Sequence, residues 1–345
     1  MTKFKTARFQ TARIKTACIA LAIALAAPAA ARAEVSEVTI PKGAGGFGFL
    51  PLVFMEKYRL IEKHAKEAGL DLKVQYLNLG GPSTVNDALI SGSAHLAPAG
   101  PPAFLTTWAK TQGSMKIKGV AAMSSMPMYL NTRSPDIKSL DDVKGDDKIA
   151  ITAVKVSIPA IIMQMYARAK YGPAETTRFD KYTVSLTHPD GVAAMLSGHH
   201  EVNLHYTSPP FFQRELRDPN IRTIQTTDQV MGGATTFTML YTTSKFHDEN
   251  PKTYGALLAA LTEAIAMINK DKRNAAKVFL ESSSAKGWTE DEIFASLSSP
   301  DIKFTTSPQN VMKYANFMAD IGTLKMRPAS WKELFFPEIH AVEGN

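Results

Sequence analysis

The chain has 345 residues, 45% hydrophobic and 21% charged, with a formal net charge of +7. Six of its cations (Lys3, Lys5, Arg8, Arg13, Lys15 and Arg32) precede Glu34, and without them the excess falls to +1, which removes support for a nucleic-acid or anionic-membrane partner. The one cysteine, Cys18, lies in that same segment, so the rest of the chain has no disulfide and no cysteine metal site.

The first 33 residues read as a secretory signal peptide. Met1 to Lys15 carry cations and no acid, Thr16 to Ala27 are apolar, and Ala31-Arg32-Ala33 is an A-x-A cleavage site. The apolar run is shorter than the roughly 20 residues needed to span a bilayer. Cys18 follows the charged segment directly, which disfavours a lipoprotein anchor. The remaining length suggests two lobes rather than one small core.

Beyond the signal, Glu37 to Ile40 predict a strand, followed by the glycine-rich loop PKGAGGFGFLP. A helix is expected from Leu50 to about Ala68, stopped by Gly69. In LDLKVQYLNL the apolar residues alternate with polar ones, the period of a strand buried on one side. The opening order is therefore β-α-β, which points to a parallel sheet with helices on its faces. Next, Thr84 and Asp87 form a capping-box-like helix start, with Gly92 at its end. AHLAPAG is then a strand, PPAFLTTWAKTQG a helix with prolines where a missing N–H costs nothing, and KGVAAMSSMPMYLNTR one long strand.

A second α/β run begins at LDDVKGDDKIAITAV. It continues through a helix (Ile158 to Tyr171), a strand (Tyr182 to Leu186), a helix (Pro189 to Gly198) and a strand ending at a Pro-Pro turn. TTFTMLYTTSKF is the last strand signal, and Asn250 to Asn345 read as almost all helical. This order places lobe I in residues 34–134 and 237–345 and lobe II in residues 135–236, with two crossings forming a hinge beside a cleft.

One pattern occurs twice: apolar-Ser-Gly, a strand, Pro-Pro and an aromatic, first in ALISGSAHLAPAGPPAFL and again in AMLSGHHEVNLHYTSPPFF. Ligands of open α/β sheets bind beyond the carboxyl ends of strands, where helix starts present free N–H groups. One such turn per lobe would clamp a solute from both sides; good βα architecture alone is the simpler reading.

GGFGFLPLVFMEKYRLIEK, GGPSTVNDALISGSAHLAPAGPPAF, SLDDVKGDDKIAI and LHYTSPPFF, in this order, make the chain resemble the periplasmic solute-binding proteins of the nitrate, sulfonate and taurine group of ABC importers. The resemblance covers essentially all of the chain beyond the signal. It implies an α/β type II periplasmic binding protein fold and a monomeric soluble receptor, exported to the periplasm. That receptor would deliver a small, anionic solute to a permease and its ATPase, with no cofactor. His95 stands where many members carry an acid, and the cysteine cluster of the related thiamin-pyrimidine-forming enzymes is absent. An enzyme on the same fold, similar to those pyrimidine synthases, is the alternative.

Gly43 to Gly48 also match G-x-G-x-x-G, but the next strand ends in Asn78-Leu79-Gly80 rather than an acid for a ribose, so a dinucleotide is not expected. The same glycines suit a flexible ligand loop: Gly46 and Gly48 bring backbone N–H groups near the solute, and Phe47 or Phe49 covers it. Gly81, Ser83 and Thr84, with Gly100 and Pro101, are the expected contacts from lobe I. In lobe II, Lys155 is a candidate counter-ion, Ser157 lies at a strand's carboxyl end, and Tyr206 and Ser208 can donate from the second Pro-Pro turn. Met123, Met126 and Met128 fit a buried strand better than a copper site. His199, His200 and His205 lack a third zinc ligand at helical spacing. G-x-S-x-G, H-E-x-x-H and Walker motifs are all missing.

Overall fold

Parallel pairing of β1 (Glu37–Pro41) with β2 (Lys73–Leu77) opens the chain, with Ile40 opposite Tyr76. The computed structural model describes residues 33–198, 201–282 and 287–345; the expected signal peptide and Cys18 lie outside them. Between the two strands a 3-10 turn, Phe47–Phe49, leads into α1 (Leu50–Lys57) and α2 (Leu60–Glu67). The single helix expected over Leu50–Ala68 is thus two. Arg59 has φ 50°, a left-handed conformation that cannot continue a right-handed helix.

α3 (Pro82–Ser91), β3 (Leu96–Ala99), α4 (Pro101–Thr111) and β4 (Lys118–Ser125) follow. Gly92 ends α3 at φ 77°, a backbone position that glycine occupies without steric cost. α3 was expected to be capped by Thr84. It begins earlier because Pro82 takes the first helical position, so Ser83 and Thr84 fall inside the first turn.

The stretch expected as one long strand is cut at Met126-Pro127-Met128. Its second half, β5 (Tyr129–Thr132), joins a different sheet. Proline has no N–H to give to a ladder, so the pairing stops there. Besides the two-stranded β1-β2 sheet there are two larger ones: a first that holds β3 and β4, and a second that comprises β5, β6 (Lys148–Ile151), β7 (Thr183–Ser185), β8 (Val202–Thr207) and β9 (Arg222–Thr226), in the order β7-β6-β8-β5-β9. β7, β6 and β8 are parallel, and β5 runs antiparallel between β8 and β9. The crossovers are α5 (Ile158–Tyr171) and α6 (His188–Ser197), and α7 (Phe211–Glu215) leads to β9. Gly198 ends α6 at φ 71°, repeating the stop at Gly92.

The chain returns through α8 (Thr227–Met231) to β10 (Thr236–Thr242), which lies antiparallel between β3 and β4. By sheet membership the outward crossing falls at residues 126–128, earlier than the expected Ser134, and the return falls just ahead of Phe237. Helices α9 (Ser244–Glu249), α10 (Pro251–Lys270), α11 (Lys272–Leu280), α12 (Glu290–Leu297), α13 (Val311–Asp320) and α14 (Trp331–Leu334) complete the chain. Two isolated bridges, Ser125 to Lys303 and Gly119 to Phe335, lay this region along β4.

A large apolar core includes Phe104 and Leu240 from the first sheet's side and Leu130, Ile149 and Leu204 from the second. A smaller cluster of Ala150, Ala194, Met195, Val202 and Ile221 fixes α6 on its own sheet. Met123, Met126 and Met128 are buried as expected of core side chains. Among the described residues no helix is long and apolar enough to cross a membrane.

Candidate functional site

The starts of four helices face one small cavity. α3 and α4 follow β2 and β3, and α5 and α6 follow β6 and β7, so all four N-termini stand at carboxyl ends of strands. Gly80 and Pro82 line the cavity at α3, Gly100 and Ala103 at α4, Ser157, Ile158 and Pro159 at α5, and His188 at α6. Phe49, Pro98, Met128, Val156 and Phe237 supply an apolar wall.

Capping chemistry differs between the two sides. Ser157 Oγ accepts from the Ala160 amide at 3.5 Å and Thr187 Oγ1 from the Asp190 amide at 3.3 Å. α3 and α4 begin instead at Gly81 and Gly100, with no side-chain cap. Space accounts for this choice. A Cβ on Gly81 would lie 3.0 Å from the Thr152 carbonyl oxygen, and one on Gly100 would lie 2.8 Å from Ile158 Cδ1. Capping side chains there would fill the gap between the two sides, so the first-turn amides of α3 and α4 are left to other acceptors.

Two further clefts adjoin this cavity, of about 1480 Å³ and 640 Å³, and Ala44 lines all three. The larger carries Lys42, Glu56, Lys57 and Glu281. Its lysines are engaged, Lys42 with Glu56 at 2.7 Å and Lys57 with Glu281. The inner cavity has no lysine, arginine, aspartate or glutamate in its wall. Its positive character therefore comes from helix ends, each worth about 0.3–1 kcal/mol to an anion and up to about 2 when partly buried.

Among the described residues His188 is the one ionisable group in the inner cavity's wall, and it is buried. Its Nδ1 lies 3.4 Å from His205 Nε2, and its ring stacks on Phe211 at 5.4 Å. Burial, and then the charge of neighbouring His205, hold its pKa well below the ordinary histidine value. Among the described residues no cluster of His, Cys, Asp and Glu is arranged to hold a metal. His199 and His200 lie outside the described residues.

The expected site residues divide into groups. Phe49, Gly100 and Ser157 line the inner cavity. Gly46 lines the largest cleft, and Gly81, Ser83 and Thr84 line the third, with Ser83 and Thr84 exposed. Pro101 is buried at the first position of α4, beside Gly100 and out of the wall.

The others face elsewhere. Phe47 packs edge-on against Phe279 at 4.9 Å in the core, and the Gly48 carbonyl accepts from Ser124 at 3.3 Å and Thr238 at 2.6 Å. Lys155 is exposed, with φ 70°, and lines none of the three. Tyr206 is fully buried, its hydroxyl donating to Gln225 Oε1 at 3.3 Å, and buried Ser208 Oγ has no partner among the described residues.

The second Pro-Pro turn therefore backs the wall rather than forming it. Its Pro209 carbonyl accepts the Phe47 amide at 3.2 Å, and Phe211 supports the His188 ring. The second sheet's contribution is made by Ser157-Ile158-Pro159 and Thr187-His188-Pro189, each a capping hydroxyl with proline two residues later. His188 was missed, although this matching pattern is visible in the sequence.

Residues 66–275 match the family described as NMT1/THI5 like. A comparison with curated proteins finds no significant match. The fold is similar to that of the alkanesulfonate-binding protein SsuA from Xanthomonas axonopodis pv. citri bound to MOPS, with 16% identity, TM-score 0.66, and coverage of 86% of this chain and 96% of that one. It is also similar to the periplasmic nitrate-binding protein NrtA from Synechocystis PCC 6803, with 16% identity, TM-score 0.62, and coverage of 86% and 83%. For the periplasmic aliphatic sulphonate binding protein SsuA from Escherichia coli the values are 15%, 0.59, 88% and 92%. By this family match and the likeness of its fold to these structures, the chain belongs to the NMT1/THI5-like family and has the periplasmic binding protein fold.

Proposed function

We propose that this protein is a soluble, exported receptor that captures a small organic anion in the cavity between its two larger sheets and delivers it to an ABC import permease. The observation that carries this reading is the convergence of four helix N-termini on a mostly apolar wall without a lysine, arginine, aspartate or glutamate among the described residues. The two larger sheets are the cores of two lobes, and residues 126–128 and 227–235 are the hinge segments on which they close. Receptors with this fold bind MOPS in one case and are named for sulfonate and nitrate in others, which supports an anionic head group. The receptor acts as a monomer in the periplasm, after removal of residues 1–33. It needs no cofactor and turns nothing over, because the transporter's ATPase supplies the energy.

Magnitudes favour an organic anion over a bare inorganic one. Four helix ends at about 0.3–1 kcal/mol each give about 1–4 kcal/mol, whereas a micromolar constant requires about 8 kcal/mol. At about 25 cal/mol per Å², a further 4 kcal/mol needs roughly 160 Å² of apolar surface removed from water, to which the solute's own hydrocarbon part and the wall residues Phe49, Phe237, Met128 and Ile158 would both contribute.

Mass spectrometry of solute carried through native purification tests the reading. A small organic acid, released on denaturation and unchanged after incubation, is expected. A cationic solute, or an acid converted to product, would overturn it.

A further inference from the structure

The wall residue His188 is backed by a buried polar chain for which solute capture by helix ends alone has no use. His205, Glu215 and Asn131 are each 0% exposed. His205 Nδ1 lies 2.5 Å from Glu215 Oε1, and Asn131 Nδ2 donates to Glu215 Oε2 at 2.9 Å. Thr223 Oγ1 donates to Asn131 Oδ1 at 2.7 Å, which fixes which way that amide points. Room for the His205 ring is made by Gly191 of α6, where a Cβ would lie 2.5 Å from its Cε1 and Nε2.

Glu215 has two partners, the Asn131 amide and His205. In the arrangement proposed below, His205 donates from both ring nitrogens, one N–H to Glu215 and one toward His188. Its Nε2–H then faces His188 Nδ1, which must offer a lone pair. A neutral His188 accepting there holds its single proton on Nε2, and no residue among those described takes that proton.

We propose that His188 is a ligand-binding residue whose Nε2–H is presented to the cavity by the buried His205–Glu215 pair, selecting solutes that offer an acceptor oxygen and refusing ammonium groups. His205 and Glu215 are positioning residues: they set the tautomer without touching solute. A ligand N–H placed there would meet another N–H, a repulsive element that excludes cations. Burial, which keeps His188 neutral, acts in the same direction. This inference rests on the receptor reading above and names one group that recognises the head of its anion.

Two-bond proton–nitrogen NMR on histidine-labelled protein reads the tautomer without any solute. His188 is expected to be protonated at Nε2 and bare at Nδ1, and His205 to be protonated at both; a proton on His188 Nδ1 would overturn the inference. Glu215→Gln keeps its carbonyl oxygen on Asn131 Nδ2 and turns its NH2 toward His205 Nδ1, so His205 should lose its Nδ1 proton and keep the Nε2 one, with the His188 tautomer unchanged. Should that variant fail to fold, the wild-type signals alone decide. Calorimetry with methanesulfonate supplies the second arm. His188→Ala should bind about 10- to 150-fold more weakly than wild type, the loss of a hydrogen bond to a charged group. His188→Gln, whose amide nitrogen can stand in for Nε2, should recover part of the loss. Equal binding by wild type and His188→Ala would sink this inference and leave the receptor reading standing. Failure of methanesulfonate and other small anions to bind wild type would instead sink the receptor reading, with the ring state still decided by its nitrogen signals.

Discussion

Met128 and Thr227 tie the two chain crossings together by a reciprocal pair. The Met128 amide donates to Thr227 Oγ1 and the Thr227 amide donates to the Met128 carbonyl, both at 3.0 Å. Beside them, Ser125 Oγ donates to the Thr235 carbonyl at 2.8 Å. The two segments on which the lobes are proposed to close are thus held to each other. Thr227→Val keeps the shape and leaves the buried Met128 N–H without its acceptor, at a cost of about 1–3 kcal/mol. Urea unfolding should show a lower midpoint at unchanged slope; an unchanged midpoint would mean that the crossings are not coupled by this pair.

Gly191→Ala sets two effects against each other. Alanine is the better helix former by about 1 kcal/mol, but its Cβ would lie 2.5 Å from the buried His205 ring, and overpacking costs typically 1–3 kcal/mol. The clash is expected to win, so the variant should unfold at lower urea than wild type. A more stable variant would show that the ring has room to move.

Acid should destabilise the fold through neutral histidines. His95 Nδ1 accepts the Thr39 amide at 3.0 Å, which joins β1 to the start of β3, and burial lowers its pKa below the ordinary 6.5. The native state then binds fewer protons than the unfolded chain, so this contribution is complete above pH 6.5 and is lost as pH falls from there through the folded value. His188, lowered further, acts in the same sense. Unfolding free energy followed from pH 7.5 down to 5 should fall, and His95→Asn, whose Oδ1 can replace Nδ1 as acceptor, should flatten part of the slope. An equal slope in both proteins would remove His95 from the account.

Ser208→Ala separates the two Pro-Pro turns. The hydroxyl is fully buried, without a partner among the described residues, and outside the cavity wall. Its removal should leave solute affinity unchanged and stability equal or higher, since an unsatisfied buried polar group is a cost. A tenfold loss of affinity would return the second turn to the site.

Periodicity and glycine stops made most elements legible: the α/β order, the helix ends at Gly92 and Gly198, and the return strand near Phe237. The break at Met126-Pro127-Met128 was hidden because both halves are apolar and sheet membership is a long-range property. The repeat was read correctly as two helix stops, but it misled about the site. The first Pro-Pro sits within α4 directly after Gly100, whereas the second precedes the five-residue α7 and packs against the glycine loop. Phe47 and Tyr206 were expected to face solute because aromatics suit pocket walls, yet burial in the core satisfies the same side chains. His188 is held neutral by burial and then by neighbouring His205, a residue remote from it in sequence.

The most direct measurement of the central claim is the melting temperature of residues 34–345, with matched concentrations of methanesulfonate, taurine, benzoate, nitrate and methylammonium. If helix ends and an apolar wall hold an organic anion, at least one organic anion should stabilise the fold in a concentration-dependent way, by about 2.7 kcal/mol at one hundred times its dissociation constant. Nitrate should do less, and methylammonium nothing. Stabilisation by methylammonium, with none from any anion, would contradict the account.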